Sequence, residues 1–244
     1  MPGDTLATIW AERYETFNGF REDPPPRLIA GDFEHAMLRI PSRSIGMVLT
    51  DPPYGIAYKT GMRKDRHHRF CREIEGDRDL SALERAAPEM MRVLMPDSAA
   101  CVFMAQETLA QAERIMRSAG FEVVNRIVWD KGAHTMGDLT HAFGKQYEVL
   151  LYCAKGRPRI RGRRWPDVWR FPRVPQNRLQ HQNEKPVELL ERAVESLSDP
   201  GDMVLDPFMG SGSTGEACAR CGRAFMGCEI DPYYYGVAEA RLMG

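Results

Sequence analysis

Short apolar runs alternate with amphipathic stretches along most of the chain. "RLIAGD" reads as a strand, "FEHAMLRI" as a short helix and "IGMVLTD" as a second strand, a βαβ pattern that follows a break at "DPPPR" after an N-terminal helix. "DLSALERAAPEMMRVLMP" repeats its apolar positions at helical spacing, and "SAACVFMA" is an unbroken apolar strand. "QETLAQAERIMRSAG" is a helix stopped by Gly120, followed by the strands "FEVVNRIVWD" and "YEVLLYCAK". "EKPVELLERAVESLSDPG" is a helix with a Pro-Gly stop. The strand "DMVLDPF", a glycine turn opening the helix "GSGSTGEACARCG", the strand "AFMGCEID" and the helix "PYYYGVAEARLMG" complete the chain. Helix and strand alternating with short connections predict a doubly wound α/β sheet, with the ligand site at the carboxyl ends of its strands. "DPPY", "DPFMGSGSTG" and "EID" all fall at such ends.

Composition narrows the class without naming it. At 244 residues, 43% hydrophobic and 27% charged, the chain has the makeup of one soluble globular domain, residues 1–244. No apolar run approaches the roughly 18 residues of a membrane span, and the start "MPGDTLATIWAERYE" lacks the pattern of a signal peptide, so a cytoplasmic protein is expected. Six scattered cysteines make no disulfide framework; Cys218 and Cys221 read as helix packing, His67 and His68 as loop residues, and no metal site is expected. The net charge of −1 hides an uneven distribution. Residues 153–180 carry nine lysines and arginines against one aspartate, interleaved with Trp165, Trp169 and Phe171; the loop 59–79 opens with six against one over residues 59–72. Two such segments on a neutral chain predict one polyanion-binding face.

The glycine-rich turn carries chemistry. Gly210, Gly212 and Gly215 permit close backbone approach to a ligand, and Glu229, ending the next strand, suits the two hydroxyls of a ribose. Gly210 and Gly215 have the spacing of a phosphate-binding loop, but Glu216 stands where that loop needs lysine. Asp206, just before the turn, disfavours a pyrophosphate and favours a cationic ligand such as an ammonium or sulfonium.

"TDPPYGI", "HQNEKPVELL" and "DMVLDPFMGSGSTGEACARCGRAFMGCEID" together resemble the beta-class DNA amino-methyltransferases, which place DPPY before the cofactor block; the likeness runs from about residue 27 to 242. The resemblance implies a circularly permuted, seven-stranded, Rossmann-like methyltransferase sheet, S-adenosyl-L-methionine as cofactor, double-stranded DNA as partner and a homodimer as in related enzymes. It implies a catalytic group of Asp51, Pro52, Pro53 and Tyr54. Asp51 and the Pro52 carbonyl would accept the two hydrogens of an exocyclic amine, with the prolines holding them rigidly and Tyr54 stacking on a flipped base. The implied cofactor set is Asp32, Lys185, Asp206, Phe208, Gly210, Ser211, Gly212, Thr214, Glu229 and Ile230. For three of these a structural reading stands level: Asp32 as a helix cap, Lys185 as a solvated helix start, Phe208 as core. The arginine-rich stretch occupies the family's recognition interval, so Arg161, Arg163, Arg164 and Trp165, with Lys59, Arg63 and Lys64 of the earlier loop, are expected on nucleic acid. Asp in the first DPPY position goes in this family with adenine N6. N4-cytosine, RNA, or a non-catalytic nucleic-acid-binding subunit are the alternatives.

Overall fold

The structure is a computed structural model that describes residues 28–55, 79–134, 140–181 and 183–243. The expected N-terminal helix and most of the basic loop, with Lys59, Arg63 and Lys64, lie outside the described residues. The strands are β1 (Leu28–Ala30), β2 (Ile45–Thr50), β3 (Leu94–Met104), β4 (Glu122–Asp130), β5 (Tyr147–Lys155), β6 (Val168–Arg170), β7 (Met203–Asp206) and β8 (Ala224–Glu229). The helices are α1 (Phe33–Leu38), α2 (Ser81–Val93), α3 (Leu109–Ser118), α4 (Val187–Leu197), α5 (Ser213–Cys221) and α6 (Pro232–Met243).

All eight strands join one sheet in the order β1-β8-β7-β2-β3-β5-β4-β6. The first described strand thus pairs with the last, Leu28 opposite Gly227, the neighbourhood that a circular permutation requires. Among the described residues the strand count exceeds the expected seven because the arginine-rich segment contributes β6, three residues that pair in parallel with the outer edge of β4. Strand β3 starts at Leu94, earlier than the apolar run suggests, and is offset by an irregularity in its pairing with β2.

Centre and edge follow from composition. β2 (IGMVLT) and β7 (MVLD) are buried at every position, as strands covered on both faces must be. α2 turns Ala82, Leu83, Ala86, Ala87, Met90 and Val93 inward, and Asp79 accepts from the Ser81 N–H at 2.9 Å at its start.

β5 runs antiparallel to both β3 and β4. β4 climbs to the carboxyl edge and β5, the next strand in sequence, pairs antiparallel with it and so descends. The amino end of β5 therefore lies at the same edge of the sheet as the carboxyl ends of β2, β7 and β8.

Gly215, in the first turn of α5, serves packing. A Cβ on Gly215 would lie 2.7 Å from Leu242 and 2.9 Å from Phe225, so α5 can press onto α6 and β8 only without one. Gly215→Ala is expected to lower stability by about 1–3 kcal/mol through overpacking, outweighing a helix-propensity gain of about 1 kcal/mol. Chemical denaturation checks this; equal or higher stability would contradict the packing account.

Candidate active site

The carboxyl edge opens into a cavity of about 1520 Å³. Its walls come from the residues that follow β1, β2, β3, β4, β6, β7 and β8, together with the start of β5 and the segment leading into α4. Asp51, Pro52, Pro53 and Tyr54 line it, as do Asp32, Lys185, Asp206, Phe208, Gly210, Ser211, Thr214, Glu229 and Ile230.

A cluster of charges sits where β2 ends. Lys185 is 4% exposed, and its Nζ donates to Asp51 Oδ2, lies 3.4 Å from Glu148 Oε2 and donates to the Asn183 carbonyl at 3.2 Å. The solvated-helix reading of Lys185 is therefore overturned: an ammonium this deep needs its two carboxylates. The Tyr54 hydroxyl donates to Asp51 Oδ1 and also lies 3.2 Å from Glu148 Oε2, while Lys131 pairs with Glu148 Oε1. Burial lifts the Asp51 carboxyl above its ordinary value, Lys185 pulling against it and Glu148 adding to it. Burial also pushes Glu148 up, but Lys185 and Lys131 outweigh it and hold its carboxyl below the usual range. Burial, then the two carboxylates, keep the Tyr54 phenol well above its usual pKa and so protonated. Burial opposes the charge on Lys185, and Asp51 and Glu148 more than restore it.

The glycine loop is braced from beneath. Asp206 Oδ1 accepts from the Thr50 hydroxyl at 2.6 Å and the Phe208 N–H at 3.1 Å; its Oδ2 accepts from the Thr214 hydroxyl at 2.7 Å. Asp206 thus ties β2, β7 and α5 together, with burial raising its pKa to about 6 against those three donors. Gly212 does not line the cavity. Its φ is +80°, and a Cβ there would lie 3.1 Å from Ala238 of α6, so packing against α6 also requires a glycine here. Arg241 of α6 donates to the Ser211 carbonyl at 3.0 Å, pairs with Glu216 at 3.0 Å and binds the buried Glu184. The Glu216 that rules out a phosphate loop is thus one side of this clamp.

Glu229 stands at the end of β8, accepting from the Gly210 N–H at 2.9 Å and the Asp231 N–H at 2.8 Å. Asp32 is the helix cap that the sequence offered, its Oδ1 accepting from the Glu34 N–H at 2.9 Å, and it also lines the cavity. Phe208 likewise packs on Phe33, centroids 4.8 Å apart, while lining the cavity.

The basic segment is divided. Arg161 pairs with Asp199 at 2.7 Å, and its N–H donates to the Ser196 carbonyl at 2.9 Å. This holds it at the far end of α4, at the sheet edge opposite the cavity. Trp165 is approached by Arg163 at 4.4 Å and by Arg192 of α4 at 4.3 Å, a stack that fastens the segment to α4. None of Arg161, Arg163, Arg164 and Trp165 lines the cavity; Pro172, Arg173, Val174, Pro175 and Gln176 do. On the same rim stands Phe143, fully exposed, in the β4–β5 connection.

Three cavity groups escaped the sequence reading. Glu148 is a lone acid near the start of the apolar run "YEVLLYCAK", and attention to carboxyl ends passes over the amino end of an antiparallel strand. Lys131 follows β4 and shares that acid. His181 lies beside Gly210 and packs against Tyr234 with centroids 4.2 Å apart.

The chain belongs to the N6/N4 DNA methylase family, whose model matches residues 45–240. It is 34% identical over 218 residues to YubD of Escherichia coli (strain K12), a protein bearing a methylase name, across 88% of this chain and 89% of that one. It is also similar to the structure of TTHA0409 from Thermus thermophilus, described as a DNA modification methylase and complexed with S-adenosyl-L-methionine. The identity is 27% and the TM-score 0.62, over 88% of this chain and 94% of that one. The cytosine-N4-specific PvuII DNA methyltransferase superposes with a TM-score of 0.72 over 89% of this chain and 86% of that one; at 17% identity the likeness is one of fold.

Removing Asp206 leaves two buried threonine hydroxyls without their acceptor, so Asp206→Ala is expected to lower stability by about 2 kcal/mol or more in denaturant titration. His181 gives a pH signature. Burial, then Lys185, pushes its pKa down to about 4, and its Nδ1 accepts from the Asn183 N–H at 3.2 Å. Above about pH 6.5 both folded and unfolded states are neutral there. Below it the unfolded chain takes a proton that the folded one refuses, so on the order of 3 kcal/mol is lost as pH falls toward 4. Melting curves should show a shallower acid decline for His181→Gln than for wild type; parallel declines would rule out this linkage.

Proposed function

We propose that the chain is a site-specific DNA methyltransferase that moves a methyl group from S-adenosyl-L-methionine to the N6 amine of an adenine flipped out of the duplex. The observation that carries this reading is the Asp51 carboxylate beside the rigid Pro52 backbone, in one cavity with a glycine loop and Glu229.

The cavity suits a cofactor and a base together: about 1520 Å³ exceeds the roughly 300–1,000 Å³ of an ordinary small-molecule pocket. Glu229 and Asp32 offer acceptors to a nucleoside, Phe208 and Ile230 offer apolar contact, and Gly210 allows close approach. The loop is unsuited to phosphate, since Glu216 and Glu184 stand behind it. S-adenosyl-L-methionine bound there supplies an electrophilic methyl group on a sulfonium. The protein's own part is to orient and electronically prepare the amine. Asp51 and the Pro52 carbonyl accept its two hydrogens, which draws the delocalised lone pair back onto nitrogen, and two consecutive prolines hold the acceptors at fixed separation. Tyr54 presents its ring to the flipped base while its hydroxyl stays on Asp51 and Glu148.

DNA meets the rim formed by Phe143, Arg173 and their neighbours Pro172, Val174, Pro175 and Gln176. Arg161 is left out of that surface by its pairing with Asp199. Aspartate rather than serine at position 51 favours adenine over cytosine.

Mass analysis of nucleosides from treated double-stranded DNA is expected to show N6-methyladenine. N4-methylcytosine instead would move the assignment to the other amine, and modification of RNA alone would overturn the DNA reading. Asp51→Ala should lower the transfer rate by about 10²–10³-fold, the scale of losing a preorganised electrostatic group, while calorimetry still detects cofactor binding.

A further inference from the structure

Glu148 opens β5 inside the cavity, and neither the Asp51–Pro52 pair nor the glycine loop needs it for the roles given to them. Its surroundings assign it one. Asp51 and Glu148 share two donors: Lys185 Nζ binds Asp51 Oδ2 and lies 3.4 Å from Glu148 Oε2, and the Tyr54 hydroxyl binds Asp51 Oδ1 and lies 3.2 Å from the same Glu148 oxygen. Lys131 closes the set on Glu148 Oε1, giving two carboxylates and two ammoniums in one part-buried cluster. We propose that Glu148 is a positioning residue for methyl transfer, dividing Lys185 and Tyr54 between two carboxylates so that Asp51 keeps its lone pairs and basicity for the substrate amine.

The argument is one of charge at each stage. A carboxylate that alone neutralises a buried ammonium is a weak acceptor, and Lys185 without Glu148 would lean wholly on Asp51. In the transfer, the nitrogen lone pair forms the new N–CH₃ bond as the S–C pair returns to sulfur, leaving a cationic nitrogen. One N–H pair then returns to nitrogen and the proton passes to Asp51. With Asp51 neutralised, Lys185 still has Glu148 as counter-ion, so no uncompensated ammonium is stranded in the interior. Around Asp51 the charged and titratable groups are Lys185 before α4, Glu148 on β5, Tyr54 on its own loop and Asp206 on β7. Lys131 lies behind Glu148, and neutral His181 lies near Lys185. Removing the negative charge at 148 lowers the pH at which Asp51 protonates; removing the positive charge at 131 raises it.

This proposal rests on amino-methyl transfer and is indifferent to whether the amine belongs to adenine or cytosine. The test compares wild type, Glu148→Gln and Lys131→Gln by single-turnover methylation of DNA across pH. Cofactor affinity is measured by calorimetry, and the Asp51 carboxyl of the unliganded protein is titrated by ¹³C NMR. Glu148→Gln is expected to slow transfer by about tenfold to a hundredfold, with cofactor affinity kept and the acid limb moved to lower pH. Lys131→Gln is expected to move the limb to higher pH. An unchanged rate in Glu148→Gln would overturn the proposal, as would a slower rate with an unmoved limb or one matched by lost cofactor binding. Should Glu148→Gln fail to fold, the Lys131→Gln limb decides: upward supports the proposal, unmoved overturns it. Wild-type protein that methylates no DNA would refute the methyl-transfer reading instead; the Asp51 titration in the variants, which needs no turnover, still decides whether Glu148 governs this carboxylate.

Discussion

A single buried ammonium organises the reactive edge. Lys185 sits almost out of solvent between Asp51, which follows the central strand β2, and Glu148, which begins the antiparallel strand β5. Isolating such a charge costs several kcal/mol unless its partners are close and well oriented. The loop after β2, the start of β5 and the turn into α4 are therefore held in one relative placement, and the rigid Asp-Pro-Pro-Tyr backbone is fixed to the sheet by that placement. Tyr54 and Lys131 extend the same constraint to the other side of Glu148.

The other half is ordered by an acid. Asp206 gathers hydroxyls from Thr50 and Thr214 and a backbone N–H from Phe208, so the glycine loop is fastened to β2, the same strand that carries Asp51. The glycine loop and the Asp-Pro-Pro-Tyr loop are thus registered against one strand. Distances between a methyl donor and an acceptor amine matter at the scale of about 1 Å, and a shared β2 is a stiffer reference than either loop would be. Arg241 adds a clamp from α6, joining Ser211, Glu216 and Glu184 across three segments.

Local reading recovered the elements that local chemistry dictates. The apolar runs of β2 and β7, the helical period of α2, and the Asp-Pro-Pro-Tyr and glycine loops at strand ends were all legible, because each is specified by neighbours in sequence. What failed was non-local. Gly212 and Gly215 look like ligand glycines until α6 and β8 are seen pressed against them. Arg161 looks like a phosphate contact until Asp199, at the far end of α4, is found holding it. β6 was hidden because three residues make a strand only when β4 offers an open edge.

The sequence by itself determined the class of chemistry. A carboxylate before two prolines and an aromatic ring, upstream of a glycine loop closed by an acid, is a covalent fact of the chain. The family membership over residues 45–240 agrees with it. Tertiary structure alone decided how the charges are shared. Whether Lys185 is solvated or buried, and which acid answers Asp51 across the cavity, depends on β5 running antiparallel. Strand direction is set by which edge a connection lies on, and that is a property of the whole sheet rather than of any stretch within it.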